Sequence, residues 1–424
     1  MNHLHWISTR LLAFALLAVV LVSCKKDDEP TAFTLSSLMA GDADLNAATS
    51  PSDVAPDADI VATFSTNVDP ATVDSTNITL TRNYDNASVP LTITPSGSTI
   101  TISPTEELGT GTQYALKLGA GLMSTDGLAL TEVTRSFTTE GTFAPSGVVA
   151  HWTFEGNAND EMGSYNASDA VAITYTDSRN AAAGQAATFD GDASIIEVPN
   201  GDQLMNTEDF TLSMWVKTNS DGHVDASGNP AGHFVIGLGA FYGFQMEIPS
   251  SYGSIQLPVQ YLYGDGTTGT GGNLSFNGEG KTKDNGGWQG TEVSKDLSGS
   301  GGVSSLVKDK WAHIVYTYTQ AEKTRRLYIN GQLMQQDNFN LWPDDAKERT
   351  VQGLKYGGSE PDVEPVLAFG FIQSRGGTLW DAEPWGGYDI PTSNHFKGQM
   401  DDVRIFHTPL TAQEIELMYN SEKP

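Results

Sequence analysis

Short segments in which apolar and polar residues alternate recur along the chain, and they constrain its fold more than any other feature. In ADIVATFS, Ile60, Ala62 and Phe64 share one side of an extended backbone. In QYALKL, Tyr114 and Leu118 do the same. A period of two is typical of strands that bury one face against a core. Because helix-period patterns are nearly absent and glycine occurs 44 times, we predict an all-β protein with long loops.

The charge balance limits the partners that the chain can bind. The sequence contains 23 Lys and Arg against 52 Asp and Glu, a formal net charge of −29. Such a surface repels phosphate backbones, so nucleic acid is excluded as an expected partner. It is compatible with neutral polysaccharides and with bound Ca²⁺. The length of 424 residues is sufficient for two domains with separate cores.

The N-terminal residues have the pattern of an export signal. The apolar run that begins at Leu11 is roughly a dozen residues long, and a membrane-spanning helix needs about 20. It ends in LVSC, which contains Cys24, the only cysteine of the chain. LVSC resembles the lipobox of bacterial lipoproteins, which implies removal of residues 1–23 and acylation of Cys24. The following KKDDE resembles the export signal of Bacteroidetes surface lipoproteins, so we interpret residues 24–32 as an acidic tether on the outer face of the outer membrane.

Residues 33–140 resemble a bacterial Ig-like domain. The similar pieces are DIVATFSTNVDPATVDSTNITL, ISPTEELGTGTQYALKLGAGL and RSFTTEG. The resemblance implies an antiparallel β-sandwich that acts as a spacer. Residues 141–147 are rich in Gly, Pro and Ser, and we predict a linker there.

Residues 148–424 resemble a LamG-like domain of the concanavalin type. The similar pieces include VVAHWTFEGNANDEMG, QAATFDGDASIIEVP and FKGQMDDVRIFHTPLTAQEIELMY. The predicted fold is therefore an Ig-like β-sandwich followed by a concanavalin-like jelly-roll β-sandwich. Thr411 and Glu414 predict a capping box and a helix that begins at Ala412. Two loops are enlarged, one between Trp215 and Trp311 and one between Arg375 and Phe396; long loops in a compact domain are often functional.

Aromatic residues in the enlarged loops indicate a glycan site. Flat aromatic rings can stack on the apolar faces of sugars, and neighbouring carboxylates can accept hydrogen bonds from hydroxyl groups. The alternative is that these rings pack the loops onto the sandwich; the site would then lie among the tyrosines between 242 and 263. The predicted glycan-binding residues are Trp380, Trp385, Tyr388, Trp288, Asp381 and Glu383.

A metal site is the second prediction. The LamG-like resemblance implies one Ca²⁺ ion where the first and last strands meet, and Ca²⁺ requires six to eight oxygen ligands. The candidate ligands are Glu155, Asp160 and Asp401, from the opening and closing motifs. Solvated turn acids are the alternative interpretation.

A catalytic site is not predicted, although one acidic stretch contains the carboxylates that a glycosidase would need. Glu360, Asp362 and Glu364 alternate and could share a strand face, as the paired carboxylates of a glycosidase do. Pro361 and Pro365 instead favour a loop before the strand VLAFGF. We therefore expect a surface lipoprotein that captures polysaccharide near outer-membrane glycan uptake proteins. A hydrolase or lyase on the same fold, or a protein-binding adhesin, remains an alternative.

Overall fold

The computed structural model describes residues 32–424, which form two β domains in series. The all-β prediction and the two predicted sandwiches are confirmed. The leader, Cys24 and most of the tether lie outside the described residues. Among residues 32–424, no helix combines the length and the apolar character that crossing a membrane requires.

The first domain is a sandwich of two antiparallel sheets. One sheet has the order β2-β1-β3-β7-β6 and the other β5-β4-β8-β9. The alternating residues Ile60, Ala62, Phe64, Tyr114 and Leu118 are buried between the sheets, as their period of two predicts. The strands are β1 Leu35–Ala40, β2 Ala43–Asp44, β3 Ile60–Phe64, β4 Ile78–Arg82, β5 Ser88–Val89, β6 Leu91–Ser96, β7 Thr99–Pro104, β8 Gln113–Leu118 and β9 Val133–Thr138.

The second domain contains eighteen further strands and two α-helices. The strands are β10 Val148–Trp152, β11 Asp169–Val171, β12 Thr174–Asp177, β13 Gln185–Asp190, β14 Ile195–Val198, β15 Phe210–Thr218, β16 His233–Leu238, β17 Gln245–Ile248, β18 Ile255–Leu257, β19 Tyr261–Leu262, β20 Thr268–Gly269, β21 Leu274–Phe276, β22 Thr291–Ser294, β23 Trp311–Thr319, β24 Thr324–Ile329, β25 Gln332–Asn338, β26 Leu367–Phe369 and β27 Lys397–Phe406. The helices are α1 Ser304–Val307 and α2 Ala412–Glu422.

Sixteen of these strands form two large antiparallel sheets that enclose one core, and β19 and β20 form a separate pair. The nine-stranded sheet has the order β12-β13-β27-β15-β23-β24-β25-β22, with β10 also paired to β27. The seven-stranded sheet has the order β11-β14-β26-β16-β17-β18-β21. Met214 and Tyr316 of the first sheet meet Met246 and Phe369 of the second in this core. Burial of such side chains from both sheets stabilises the sandwich.

Helix α2 covers the outer face of the nine-stranded sheet. It begins at Ala412, and the capping box between Thr411 and Glu414 is present, so both predictions are confirmed. Its buried Ile415 and Met418 pack on that face. One outer face of the sandwich is thus closed by the chain's own C-terminal segment.

The segment that joins the domains is packed and is more than a spacer. Phe143, within the predicted linker, is buried in one cluster with Met418 of α2. Its ring meets the Tyr84 ring of the first domain edge-on, with centroids 5.3 Å apart. Its backbone N–H donates a 3.2 Å hydrogen bond to Ser421 Oγ. Phe143 therefore connects the Ig-like sandwich to α2.

Candidate functional site

The second enlarged loop, residues 375–395, lies across the outer face of the seven-stranded sheet. We call it the aromatic loop. Its Leu379, Trp380 and Tyr388 pack against a cluster on that face that includes Phe234 and Phe371. Burial of these apolar side chains holds the loop on the sheet. Rings of the loop that do not take part in this packing stay exposed.

Trp385 is the ring that this loop exposes. It is 36% exposed, and it meets Phe234 of β16 edge-on with centroids 6.1 Å apart. Trp380 lies 5.0 Å from it and is half-buried against Phe241, 6.0 Å away. Trp385 is thus held in a defined orientation by two neighbouring rings, those of Phe234 and Trp380.

The other predicted glycan-binding residues of this loop do not line the cavity beside Trp385. Tyr388 Oη donates a 2.7 Å hydrogen bond to the carbonyl oxygen of Ala193, and its ring packs on Phe371 and His395. Tyr388 thus anchors the loop. Asp381 and Glu383 are exposed, and neither lines the cavity beside Trp385.

That cavity has a volume of about 710 Å³. Trp385 and Phe241 stand on one side of it, and the turn that contains Asp225 stands on another. Its floor is the outer face of β16, β17 and β18, whose outward residues include Phe234, Gln245, Glu247 and Gln256. It is a concave site with both apolar rings and polar groups, as small-molecule and glycan sites are.

Sequence reasoning missed the polar floor. Strand β17 reads QMEI, in which Met246 and Ile248 face the core while Gln245 and Glu247 face outward. The signal was the alternation within these four residues, which the long glycine-rich insertion obscured.

Two floor residues have unusual environments. Gln245 is only 2% exposed, and its Oε1 accepts no hydrogen bond from the described residues. A buried acceptor without a donor is costly, so a ligand hydroxyl is a favourable partner for it. Burial raises the pKa of the Glu247 carboxyl.

His233 forms the end of the floor and is neutral. Its ring stacks on His223 with centroids 4.5 Å apart, and its Nε2 lies 2.7 Å from Tyr252 Oη. Burial, together with nearby His223, lowers the pKa of His233 to about 3. Among the described residues that line it, the cavity therefore has acidic groups and no cationic side chain at neutral pH.

Trp288 lines a different cavity, of about 340 Å³, beside β21 and β22. Its ring is 37% exposed and meets Trp342 edge-on at 4.6 Å. The tyrosines of the alternative site are also partly exposed and partly buried. Tyr242 is exposed, whereas Tyr252, Tyr261 and Tyr263 are buried.

The predicted Ca²⁺ ligands do not fit an ion. Asp160 accepts hydrogen bonds from four backbone N–H groups, including those of His151 and Tyr165. Glu155 accepts from the backbone N–H of Gln185, and Asp401 pairs with Arg179 at 2.5 Å. No group of three or more His, Cys, Asp or Glu side chains in residues 32–424 is arranged to hold a metal. The three acids stabilise the fold individually, because each already has protein donors.

The acidic stretch at residues 360–364 lies outside the cavity beside Trp385. Glu360 and Asp362 are exposed in a turn before β26, and Glu364 accepts a 2.7 Å hydrogen bond from Ser374 Oγ. The stretch forms a loop, as its prolines predict, and the three carboxylates do not line a groove with the aromatic rings.

Comparison with known proteins agrees with the two domains. Residues 43–139 match the family model of the bacterial Ig-like domain. Residues 190–363 match that of the concanavalin A-like lectin/glucanases superfamily. Among curated proteins, none matches this chain.

Several solved structures are similar to this chain. The botulinum neurotoxin type G receptor binding domain is 14% identical, with a TM-score of 0.38, over 65% of this chain and 51% of that chain. The binding domain of Paraclostridial mosquitocidal protein 1 is 17% identical, with a TM-score of 0.41, over 65% and 52%. The chain thus spans about half the length of these two structures.

Domain 4 of an extracellular arabinanase from Geobacillus stearothermophilus, solved with arabinotriose, is 16% identical, with a TM-score of 0.38, over 64% of this chain and 98% of that chain. Together, the sheet topology and the two family matches show that the chain contains a bacterial Ig-like domain followed by a domain of the concanavalin A-like lectin/glucanases superfamily.

Proposed function

We propose that the second domain binds uncharged polysaccharide, non-covalently, in the cavity beside Trp385. The observation that supports this most strongly is the combination of an oriented, exposed indole with a buried, unpartnered Gln245 Oε1 in one concave site. The indole offers a flat apolar surface for a sugar ring, and Gln245 accepts a hydrogen bond from a sugar hydroxyl. The superfamily that matches residues 190–363 includes lectins by name, which is consistent with this role.

The acidic groups of the cavity favour uncharged glycans over acidic ones. Its ionisable side chains are Asp225, Glu247 and His233, and His233 is neutral at pH 7. Carboxylates and sulfates on a glycan would be repelled by the two acids and would find no cation to pair with. Neutral hexose or pentose polymers are therefore the expected ligands.

The test is affinity electrophoresis of residues 32–424 through gels that contain individual polysaccharides. The panel is xylan, arabinan, galactomannan, mixed-linkage β-glucan and starch as neutral polymers, with pectin and chondroitin sulfate as acidic ones. We expect retardation by at least one neutral polymer and by neither acidic polymer. Migration that no polymer changes would refute the proposal.

Two variants locate the site. Trp385→Ala should weaken binding by about fivefold or more, since aromatic anchors contribute at least roughly 1 kcal/mol. Gln245→Leu should weaken it roughly two- to tenfold through the loss of one hydrogen bond. Tyr242→Ala is the matched control, because its exposed ring does not line the cavity. Melting curves establish that each variant is folded.

Binding without catalysis is part of the proposal. Prolonged incubation with the retained polymer should release no shorter products. Reproducible product release that Glu247→Gln abolishes would replace the binding role with a hydrolase or lyase, because Glu247 is a half-buried carboxylate on the floor of the cavity.

The anchoring at Cys24 completes the proposal. The LVSC motif supports acylation, which would hold the binding domain at the outer membrane near glycan uptake proteins. An anchored protein gains effective concentration at a polymer, so a weak site is sufficient. Cys24→Ala should appear in the released fraction of cells, and wild-type protein in the outer-membrane fraction. Equal membrane fractionation of the two would contradict the lipid anchor.

A further inference from the structure

The cavity beside Trp385 and the cavity beside Trp288 lie on one continuous row of the seven-stranded sheet. The pairing register places Phe234 opposite Glu247, Glu247 opposite Gln256, and Gln256 opposite Ser275. Directly paired residues of antiparallel strands project from the same face of a sheet. The row therefore crosses β16, β17, β18 and β21 on the outer face, over about 14 Å for three interstrand spacings.

The two cavities adjoin between the last two residues of this row. Gln256 lines the larger cavity, and Ser275 lines the smaller one. Because these two residues are direct partners, their side chains are close neighbours, and the surface continues from one cavity to the other. Ser275 is small and exposed, so it leaves this passage open.

Trp288 at the far end has a fixed orientation. A Cβ atom added to Gly272 would approach the Trp288 ring to 2.4 Å, so the indole lies directly against this glycine backbone. The guanidinium carbon of the buried Arg325 lies 5.4 Å from the ring centroid, and Trp342 contacts the ring edge-on. A ring held in this way can stack on a ligand at little additional entropic cost.

The chemistry of the far end repeats that of the near end. Asn273, Ser275, Asn277 and Gln335 line the cavity beside Trp288 with amide and hydroxyl groups. The cation there, Lys281, is paired with Glu279 at 2.7 Å. Both ends thus combine one exposed indole with side-chain amides, which can form hydrogen bonds with the hydroxyl groups of an uncharged sugar chain.

We propose that the two cavities form one groove, which binds a run of several sugar units of a neutral polysaccharide, with Trp385 and Trp288 stacking on different units of the same chain. This inference rests on the proposed function and extends it from a single sugar contact to a polymer. It predicts that affinity depends on chain length.

The test uses oligosaccharides of increasing length, prepared from the neutral polymer that retards the wild-type protein, with affinities measured by calorimetry. Affinity should rise with length until the ligand reaches both tryptophans and then remain constant. Trp288→Ala should abolish this rise. The affinity of the variant for long ligands should then be lower than that of the wild type by about fivefold or more. The substitution should leave the affinity for the shortest binding ligand unchanged, because that ligand needs only the cavity beside Trp385.

A second variant tests the groove without removing a packed ring. Ser275→Arg places a long side chain across the passage at an exposed strand position and should also abolish the gain with length. Val293→Arg is the matched control, since Val293 is an exposed strand residue of β22 that lines neither cavity. Melting curves separate a blocked groove from an unfolded domain.

The outcomes distinguish this inference from the function on which it rests. If no polysaccharide retards the wild-type protein, both are wrong. If Trp385→Ala weakens binding while Trp288→Ala and Ser275→Arg bind all lengths as the wild type does, the site beside Trp385 stands and the continuous groove is refuted. Affinity that does not change with ligand length would refute it equally.

Discussion

Replacing Arg179 by methionine tests whether an internal cation, in place of a metal, neutralises the acids of the closing motif. The Arg179 side chain is 2% exposed. Its guanidinium donates to Asp401 Oδ2 and Asp402 Oδ2, at 2.5 Å in both cases, and to the carbonyl oxygen of Glu422 at 2.8 Å. It also lies 4.7 Å from the centroid of the Trp215 ring. One arginine thus connects β27, β15 and the end of α2.

The charges around Arg179 determine the size of the effect. Burial and the adjacent Asp402 carboxylate raise the pKa of Asp401. Burial also opposes ionisation of Asp402, but Arg404, His151 and Arg179 outweigh it and hold the pKa of Asp402 well below its usual range. Arg179→Met keeps the length and packing of the side chain but leaves a buried carboxylate without its partner.

Breaking a buried ion pair from one side costs about 3–5 kcal/mol. For a domain of this size, that loss lowers the melting temperature by roughly 6–20 °C. The assay is calorimetric or urea-induced unfolding of residues 32–424. Lys117→Met is the control, since Lys117 and Glu132 form a half-exposed pair in the first domain, worth at most about 1 kcal/mol. A loss below about 1 kcal/mol for Arg179→Met, or its rescue by added Ca²⁺, would refute the reasoning.

Three further predictions follow from the same packing. Chelator and added Ca²⁺ should leave the wild-type melting curve unchanged; a shift of several degrees would restore the calcium site. Phe143→Ala should separate the unfolding of the two domains into two calorimetric transitions, and a single unchanged transition would contradict the role of Phe143. Burial lowers the pKa of His313 to about 3, so its stabilising contribution is present above pH 6.5 and is lost as pH falls towards 3. His313→Asn should reduce the pH dependence of the unfolding free energy between pH 6 and 4 by about 1.4 kcal/mol per unit, and an unchanged slope would contradict it.

The strands and the core could be predicted because their signal is local. The alternation in QYALKL fixes which face is buried, and the residues Thr411 and Glu414 fix the start of α2 within one turn. In both cases the physical cause lies within a few neighbouring residues. The order of strands within each sheet depends on distant pairings, so it was not predicted; the family resemblance supplied only the two sandwich types.

The site was predicted only in part because its contacts join distant segments. Trp385 lines the large cavity, whereas Tyr388 does not line it, and its hydroxyl donates to Ala193, 195 positions earlier in the chain. Asp401 was assigned to a metal because Arg179, 222 positions earlier, cannot be recognised as its partner from spacing. Gln245 lies in a strand of four residues, too short for its alternation to stand out.

The packing of α2 determines which face of the second domain can bind a polymer. The outer face of the nine-stranded sheet is occupied by α2, and Phe143 and Tyr84 bring the Ig-like domain against that helix. The outer face of the seven-stranded sheet is the opposite side of the sandwich, and there the aromatic loop leaves Trp385 exposed over a polar floor. A chain anchored at Cys24 would therefore hold the domain by the side remote from the groove. On the proposed anchoring, the Ig-like domain would support the second domain from the side opposite the groove and so leave the groove free for a polymer.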